Sequence, residues 1–304
     1  MGARMTQMLS SEFRSRLRGP LPAGDPRIVS ELRAHYLAPP STLPYNLTHY
    51  SNPEVLVLSK SFGWDFYHHY IKFFFGDQRS GFFLEAGALD GEFLSNTLWL
   101  ERNLAWSGLL IEADPSNYQH LMWKRRRAWT SNSCVTKEPY PHETVFEALN
   151  QDKTWSKLRW LYRANSRGIN SLFAKSTDEL SNTSRKTYSM VQCFPLHSYL
   201  LALNITTVDF LSLDIQGSER EVLESLLQKV VVRAVGVEHY AAANTIREGK
   251  IFDRGFISYM KDAGYHFIDV DQNSEYFFIL EADSTLKHLS DPHKLNKLQR
   301  NAVG

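Results

Sequence analysis

Apolar and polar positions along this chain group into short blocks whose period keeps changing. Short runs rich in Phe, Leu, Ile and Val, bounded by polar or turn-forming residues, predict strands at 82–86, 108–112, 130–135, 189–194, 208–213, 231–237, 265–271 and 275–280. Segments with helical spacing fall between most of them, notably 115–125, 218–229 and 251–263. Asp114–Pro115 reads as an N-cap followed by proline at the first helical position, and Asp25–Pro26 opens another helix over 25–36 in the same way. Alternating strands and helices imply a mostly parallel sheet with helices on both faces. The last two strands are separated only by Gln272, Asn273 and Ser274, so they pair as an antiparallel hairpin. The predicted fold class is α/β, a Rossmann-like sheet, mostly parallel, with a C-terminal antiparallel hairpin.

This pattern divides the chain. Residues 1–79 hold a polar tail with Arg14, Arg16 and Arg18, the helix at 25–36, a proline-rich connector at 37–54 and an aromatic helix over 64–75. Trp64, Phe66, Tyr67, Tyr70, Phe73, Phe74 and Phe75 read as packing under the sheet rather than as a cofactor box. Residues 80–281 form the main domain, and 282–304 a C-terminal tail. Residues 136–188 break the alternation. They read as an insertion of helix plus loop over the carboxyl edge of the sheet, either a lid or a peripheral elaboration.

Composition narrows the classes. Of 304 residues, 43% are hydrophobic and 22% charged, which fits a packed globular core. A net charge of +1 argues against nucleic acid as a partner. The basic run Lys124–Arg125–Arg126–Arg127 reads as a solvated helix end, with a phosphate or lipid headgroup contact as the alternative. The two cysteines, Cys134 and Cys193, are too few for a disulfide scaffold. They read as buried free thiols, with a single bridge as the alternative. No apolar run approaches the ~18 residues of a bilayer span, so no transmembrane segment is expected. Gly2 and Thr6 fit the N-myristoylation pattern, and sequons stand at Asn46, Asn182 and Asn204. No cluster has metal-ligand spacing, so no metal is expected.

The candidate chemistry begins at FFLEAGALDGEFLSNTLWLERNLAWSGLLIEADP, residues 82–115. An apolar run ends on Glu85, a turn holds Gly87 and Gly91, a helix-like segment follows, and a second apolar run ends on Glu112. Strand, glycine turn, helix, strand and terminal acid is how a Rossmann-like fold grips a nucleoside. Glycine admits the ligand close to the backbone, and the second acid can accept from both ribose hydroxyls. The turn lacks the Gly-x-Gly-x-x-Gly that a dinucleotide pyrophosphate needs, which weighs against an oxidoreductase.

FFLEAGALDGEFLSNT, LLIEADP, VQCFPLHSYL, VDFLSLDIQGSEREVL and VGVEH together resemble the FkbM family of S-adenosylmethionine-dependent methyltransferases, over about 80–281. The terminal hairpin is also the habit of class I methyltransferases. The segment DPRIVSELRAHYLAPPSTLPYNL looks like the animal, Star-like branch, whose members work in the secretory pathway. The resemblance implies S-adenosylmethionine as cofactor and a small-molecule or glycan acceptor, methylated on oxygen. It implies Glu85 near the donor's amino acid moiety, Gly87, Asp90 and Gly91 in the turn, and Ser95 and Asn96 on the methionine carboxylate. Glu112 then takes the ribose, and Asp214 points into the cleft where acceptor and methyl meet. Asp214 and His239 are the candidate bases. Glu85 and Asp214 can also be read as helix caps, Ser95 and Asn96 as turn residues, and His239 as structural. Gln216 departs from the family, which usually has Glu there. That departure and the Star-like segment leave a second reading, a non-catalytic protein binding a protein cargo in the secretory pathway. Cytoplasm and secretory lumen both remain open as the location.

Overall fold

A computed structural model describes residues 21–48, 64–150, 185–215, 217–239, 245–247 and 250–290. Gln216, Asn182, Gly2 and the stretch 151–184 lie outside the described residues. The first helix, α1 (Pro26–Glu31), is capped by the Asp25 carboxylate accepting from Arg27 N–H, and continues as a π turn over Leu32–Tyr36. The aromatic helix α2 (Trp64–Phe75) follows. The main domain then runs β1 (Phe82–Ala86), α3 (Leu98–Leu104), β2 (Ser107–Ile111), α4 (Pro115–Lys124), β3 (Trp129–Ser131) and β4 (Cys134–Val135). Next come β5 (His142–Asn150), β6 (Arg185–Phe194), α5 (Leu196–Leu203), β7 (Thr207–Leu213), α6 (Glu219–Leu227) and β8 (Val231–Glu238). A small pair, β9 (Thr245–Arg247) and β10 (Lys250–Phe252), precedes α7 (Arg254–Asp262), β11 (Tyr265–Val270), β12 (Glu275–Leu280) and α8 (Ser284–Leu289). Asp114 caps α4 as expected, accepting from Ser116 N–H and Asn117 N–H. Helix α8, which follows β12, is capped by Asp283.

The central sheet has seven strands in the order β11-β12-β8-β7-β1-β2-β3. The five from β8 to β3 are parallel, and β12 enters antiparallel between β8 and β11. The α/β class and the antiparallel C-terminal pair are as the sequence predicts. Strand order turns back at β1, which lies between β2 and β7, and this is where open α/β sheets bind ligands. Two cores flank the sheet. One face holds Phe83, Leu110, Phe210, Ala234 and Phe277, packed on Tyr67, Tyr70, Ile71, Phe74 and Phe75 of α2. The other holds Leu84, Ile111, Leu213, Val237 and Tyr276, packed on α1, α5, α6 and α7. The aromatic helix is therefore core packing.

Two expectations are corrected. The described flanks of the 136–188 insertion are strands, not helix plus loop: β5 pairs with β6 antiparallel along its whole length. Thr144, Phe146 and Val191 are spaced for one face of a ribbon, and Phe146 and Val191 close a small core with the cysteines. Cys134 and Cys193 are not free thiols but a disulfide. They are direct partners in the parallel β4–β6 register, with Cα atoms 4.3 Å apart, well inside bridging distance.

Candidate functional site

Side chains alternate along a strand, so parity assigns each candidate to a face. Glu85 and Gly87 share the Phe83 face, Glu112 the Leu110 face, and Ser212 and Asp214 the Phe210 face. These are all the α2 side of the sheet, at its carboxyl edge. The predicted set comes together there, apart from His239.

Gly87 is fixed by its neighbours. Its φ is +86°, and a Cβ on it would come within 2.0 Å of the Asp214 carbonyl oxygen. Asp214 N–H donates to Ala86 O at 3.0 Å, so the turn after β1 and the end of β7 touch backbone to backbone. Glu85 is buried, and its carboxylate accepts from Ser95 Oγ at 2.9 Å, Asn96 N–H at 2.8 Å and the Thr97 hydroxyl. Burial pushes this carboxyl up, while Arg126 and the three donors pull it down. Its visible work is to fold residues 95–97 back over β1. Asn96 in turn donates through Nδ2 to Ser212 Oγ at 3.0 Å, and its Oδ1 is buried without a partner. Asp90 accepts from Glu92 N–H and Phe93 N–H, which closes the turn around Gly91. Glu112 accepts from Leu89 N–H at 2.7 Å and Asp114 N–H at 2.9 Å, so the acid at the end of β2 is held against the glycine turn.

The basic run is a solvated helix end only in part. Lys124 is buried and pairs with Glu92 at 2.6 Å and Asp90 at 3.4 Å. Arg126 is buried on Glu101 at 3.1 Å, and it also donates to Ser95 Oγ, Thr97 Oγ1 and the Gly91 carbonyl. Arg127 donates to Ser41 O. Only the exposed Arg125, the left-handed C-cap of α4, fits a solvated helix end. Two cations thus brace the 90–97 turn from behind. Their partners lie far away in sequence, so no local spacing reveals them.

Past the end of β7, Glu219 accepts from Gly217 N–H at 2.8 Å and Ile215 N–H at 3.2 Å, which ties α6 to the segment after Asp214. Burial pushes its carboxyl up to about 7. Glu275, which sequence reasoning missed, opens β12 as the one acid in EYFFIL and is buried. Tyr67 of α2 donates its hydroxyl to Glu275 Oε2. His239 turns to the opposite face. Its ring stacks on Phe256 at 4.1 Å, and Nε2 lies 3.2 Å from Asp253 Oδ2. Burial pushes this ring below the usual imidazole range, against the pull of Asp253.

A mostly parallel sheet that turns back at β1, with a glycine turn, a strand-end acid and an antiparallel final pair, defines a Rossmann-like α/β protein of the methyltransferase type. The chain belongs to the FkbM methyltransferase family, whose methyltransferase FkbM domain matches residues 85–267. No curated protein matches the chain by sequence. Among solved structures, a methyltransferase FkbM from Methylobacillus flagellatus KT is similar at 13% identity and a TM-score of 0.37, over 76% of this chain and 56% of that one. A precorrin-6y C5,15-methyltransferase from Geobacter metallireducens GS-15 is similar at 8% identity and a TM-score of 0.31, over 77% and 92%. The chain thus spans 56% of the length of the Methylobacillus protein. No described helix is long and apolar enough to cross a membrane.

Proposed function

We propose that the chain transfers a methyl group from S-adenosylmethionine to a hydroxyl of a small or carbohydrate-like acceptor. The observation that carries this reading is the backbone contact of Gly87 with Asp214, flanked by Glu85 and Glu112 on one face of the sheet. A Cβ at Gly87 would collide with the Asp214 carbonyl, so only glycine lets the β1 turn and the end of β7 meet and bring Glu85, Glu112 and Asp214 together at one edge of the sheet.

The residues fit the donor. Glu112 takes the ribose hydroxyls from the end of β2. Gly87 and Gly91 supply the left-handed backbone of the turn beside the donor's amino acid end, with Glu85, Asp90 and Ser95 holding the turn in shape. Asn96 commits its amide N–H to Ser212, which leaves Oδ1 as an acceptor. It therefore suits the ammonium of the methionine moiety better than the carboxylate expected from the sequence. When bound, the donor supplies an electrophilic methyl on a sulfonium.

The chain's own part is to align the acceptor oxygen with that methyl and to take its proton. Asp214 is the group at the cleft for this role. His239, whose ring turns to the other face, is left to orient α7 through Asp253. Calorimetric titration of the folded protein with S-adenosylmethionine tests the reading. Saturable binding is expected, and no binding at millimolar ligand removes the proposal.

A further inference from the structure

The cleft holds an acid that the proposed reaction does not use. Glu275 is the register partner of Glu238 on β8. Asp214 lies one residue beyond the Leu213–Val237 pair that joins β7 to β8. The three carboxyls therefore form a row across three adjacent strands, on the face that α2 covers. Gly236 lies in the same file of β8, and a Cβ there would come within 2.7 Å of Tyr67 Cε1. The missing side chain lets the Tyr67 ring lie over β8 and its hydroxyl reach Glu275.

We propose that Glu275 is a positioning residue of this cleft: a carboxyl that Tyr67 holds in the row with Asp214, and whose ionisation sets the negative charge presented to the donor's sulfonium. This rests on the methyltransferase reading above. Among the described residues, the charged groups that bear on Glu275 are acidic, namely Asp214 beyond β7 and Asp271 in the turn before β12, while Tyr67 of α2 also faces Glu238. Burial first and the Asp214 charge second push the Glu275 carboxyl well above the usual carboxylate range, while the Tyr67 hydrogen bond pulls it back down. Glu275 therefore keeps its proton through acidic pH and adds its charge to the row only on further titration.

S-adenosylmethionine carries the sulfonium charge, and its demethylated product, a thioether, does not. Both share every other group, so the ratio of their affinities isolates the charge effect. Calorimetric titration of both ligands from acidic to alkaline pH is the test. The ratio should shift toward S-adenosylmethionine by about fivefold across one ionisation above the usual carboxylate range. Glu275→Gln cannot ionise and should leave the ratio flat. Tyr67→Phe removes a bond that favours the ionised form and should move the transition to higher pH. A flat ratio in the unaltered protein, a transition that survives Glu275→Gln, or one that Tyr67→Phe leaves in place overturns the inference. Absence of binding by either ligand at any pH overturns instead the methyltransferase reading.

Discussion

Gly87 shows how much one residue decides. Its backbone lies in the left-handed region, and the space its side chain would need belongs to the Asp214 carbonyl. Gly87→Ala should cost about 2 kcal/mol or more in stability, from strain and collision together, and should abolish binding of S-adenosylmethionine. Thermal unfolding and calorimetry on the same sample read both effects. A variant with unchanged melting temperature and affinity would mean that the β1 turn and the β7 end are not held against each other. At this scale the sequence was legible where chemistry is local. The acid-capped helices and the glycine turn declare themselves within a few residues. His239 was not legible. Both faces of a parallel strand are apolar, so the chain alone does not say which layer Val237, and therefore His239, turns to.

At the scale of elements, the turn over 90–97 depends on a brace behind it. Arg126 and Glu101 are both buried, and Arg126 reaches Gly91, Ser95 and Thr97 as well. Removing one member of such a pair strands the other in a low dielectric. Arg126→Met should therefore destabilise the protein by about 3–5 kcal/mol, and adding Glu101→Gln should restore part of that loss. Urea unfolding of the two single variants and the double variant measures the coupling, and simple additivity would contradict it. The sequence shows four consecutive basic residues at a helix end, which ordinarily face water. What buries two of them is the meeting of that helix end with acids 25 to 34 positions earlier, a tertiary event no periodicity records. The strand β5 escaped for a related reason. HETVFEALN mixes polar and apolar residues in no obvious alternation, and only its pairing with β6 makes it a strand.

For the whole molecule, the mostly parallel sheet and its C-terminal antiparallel pair were the most legible part, because each strand is a compact apolar run between clear turn signals. The disulfide was the least legible, since it depends on a register between strands 59 residues apart. A cross-link over that separation removes about 4 kcal/mol of chain entropy from the unfolded state. It joins β4 to β6 within a separate three-stranded sheet, β4-β6-β5, and sits in that sheet's own small core. Reduction, or Cys134→Ser with Cys193→Ser, should raise amide hydrogen exchange in β5 and β6 well before β1, β7 and β8 respond. Equal exchange in all five strands would show that the ribbon and the sheet open as one unit.

Helix α2 lies upstream of the stretch that matches the family, yet it touches both ends of the cleft. Trp64 Nε1 donates to the Ser95 carbonyl in the glycine turn, and one helical turn later Tyr67 reaches Glu275. The match also stops at 267, inside β11 and before β12 enters the sheet. Evolutionary limits and folding limits are therefore different here. A chain trimmed to 85–267 would lose a roof at one end and an interior stave at the other. This chain needs its flanking segments to complete the central sheet and to cover the face that carries Glu85, Asp214 and Glu275.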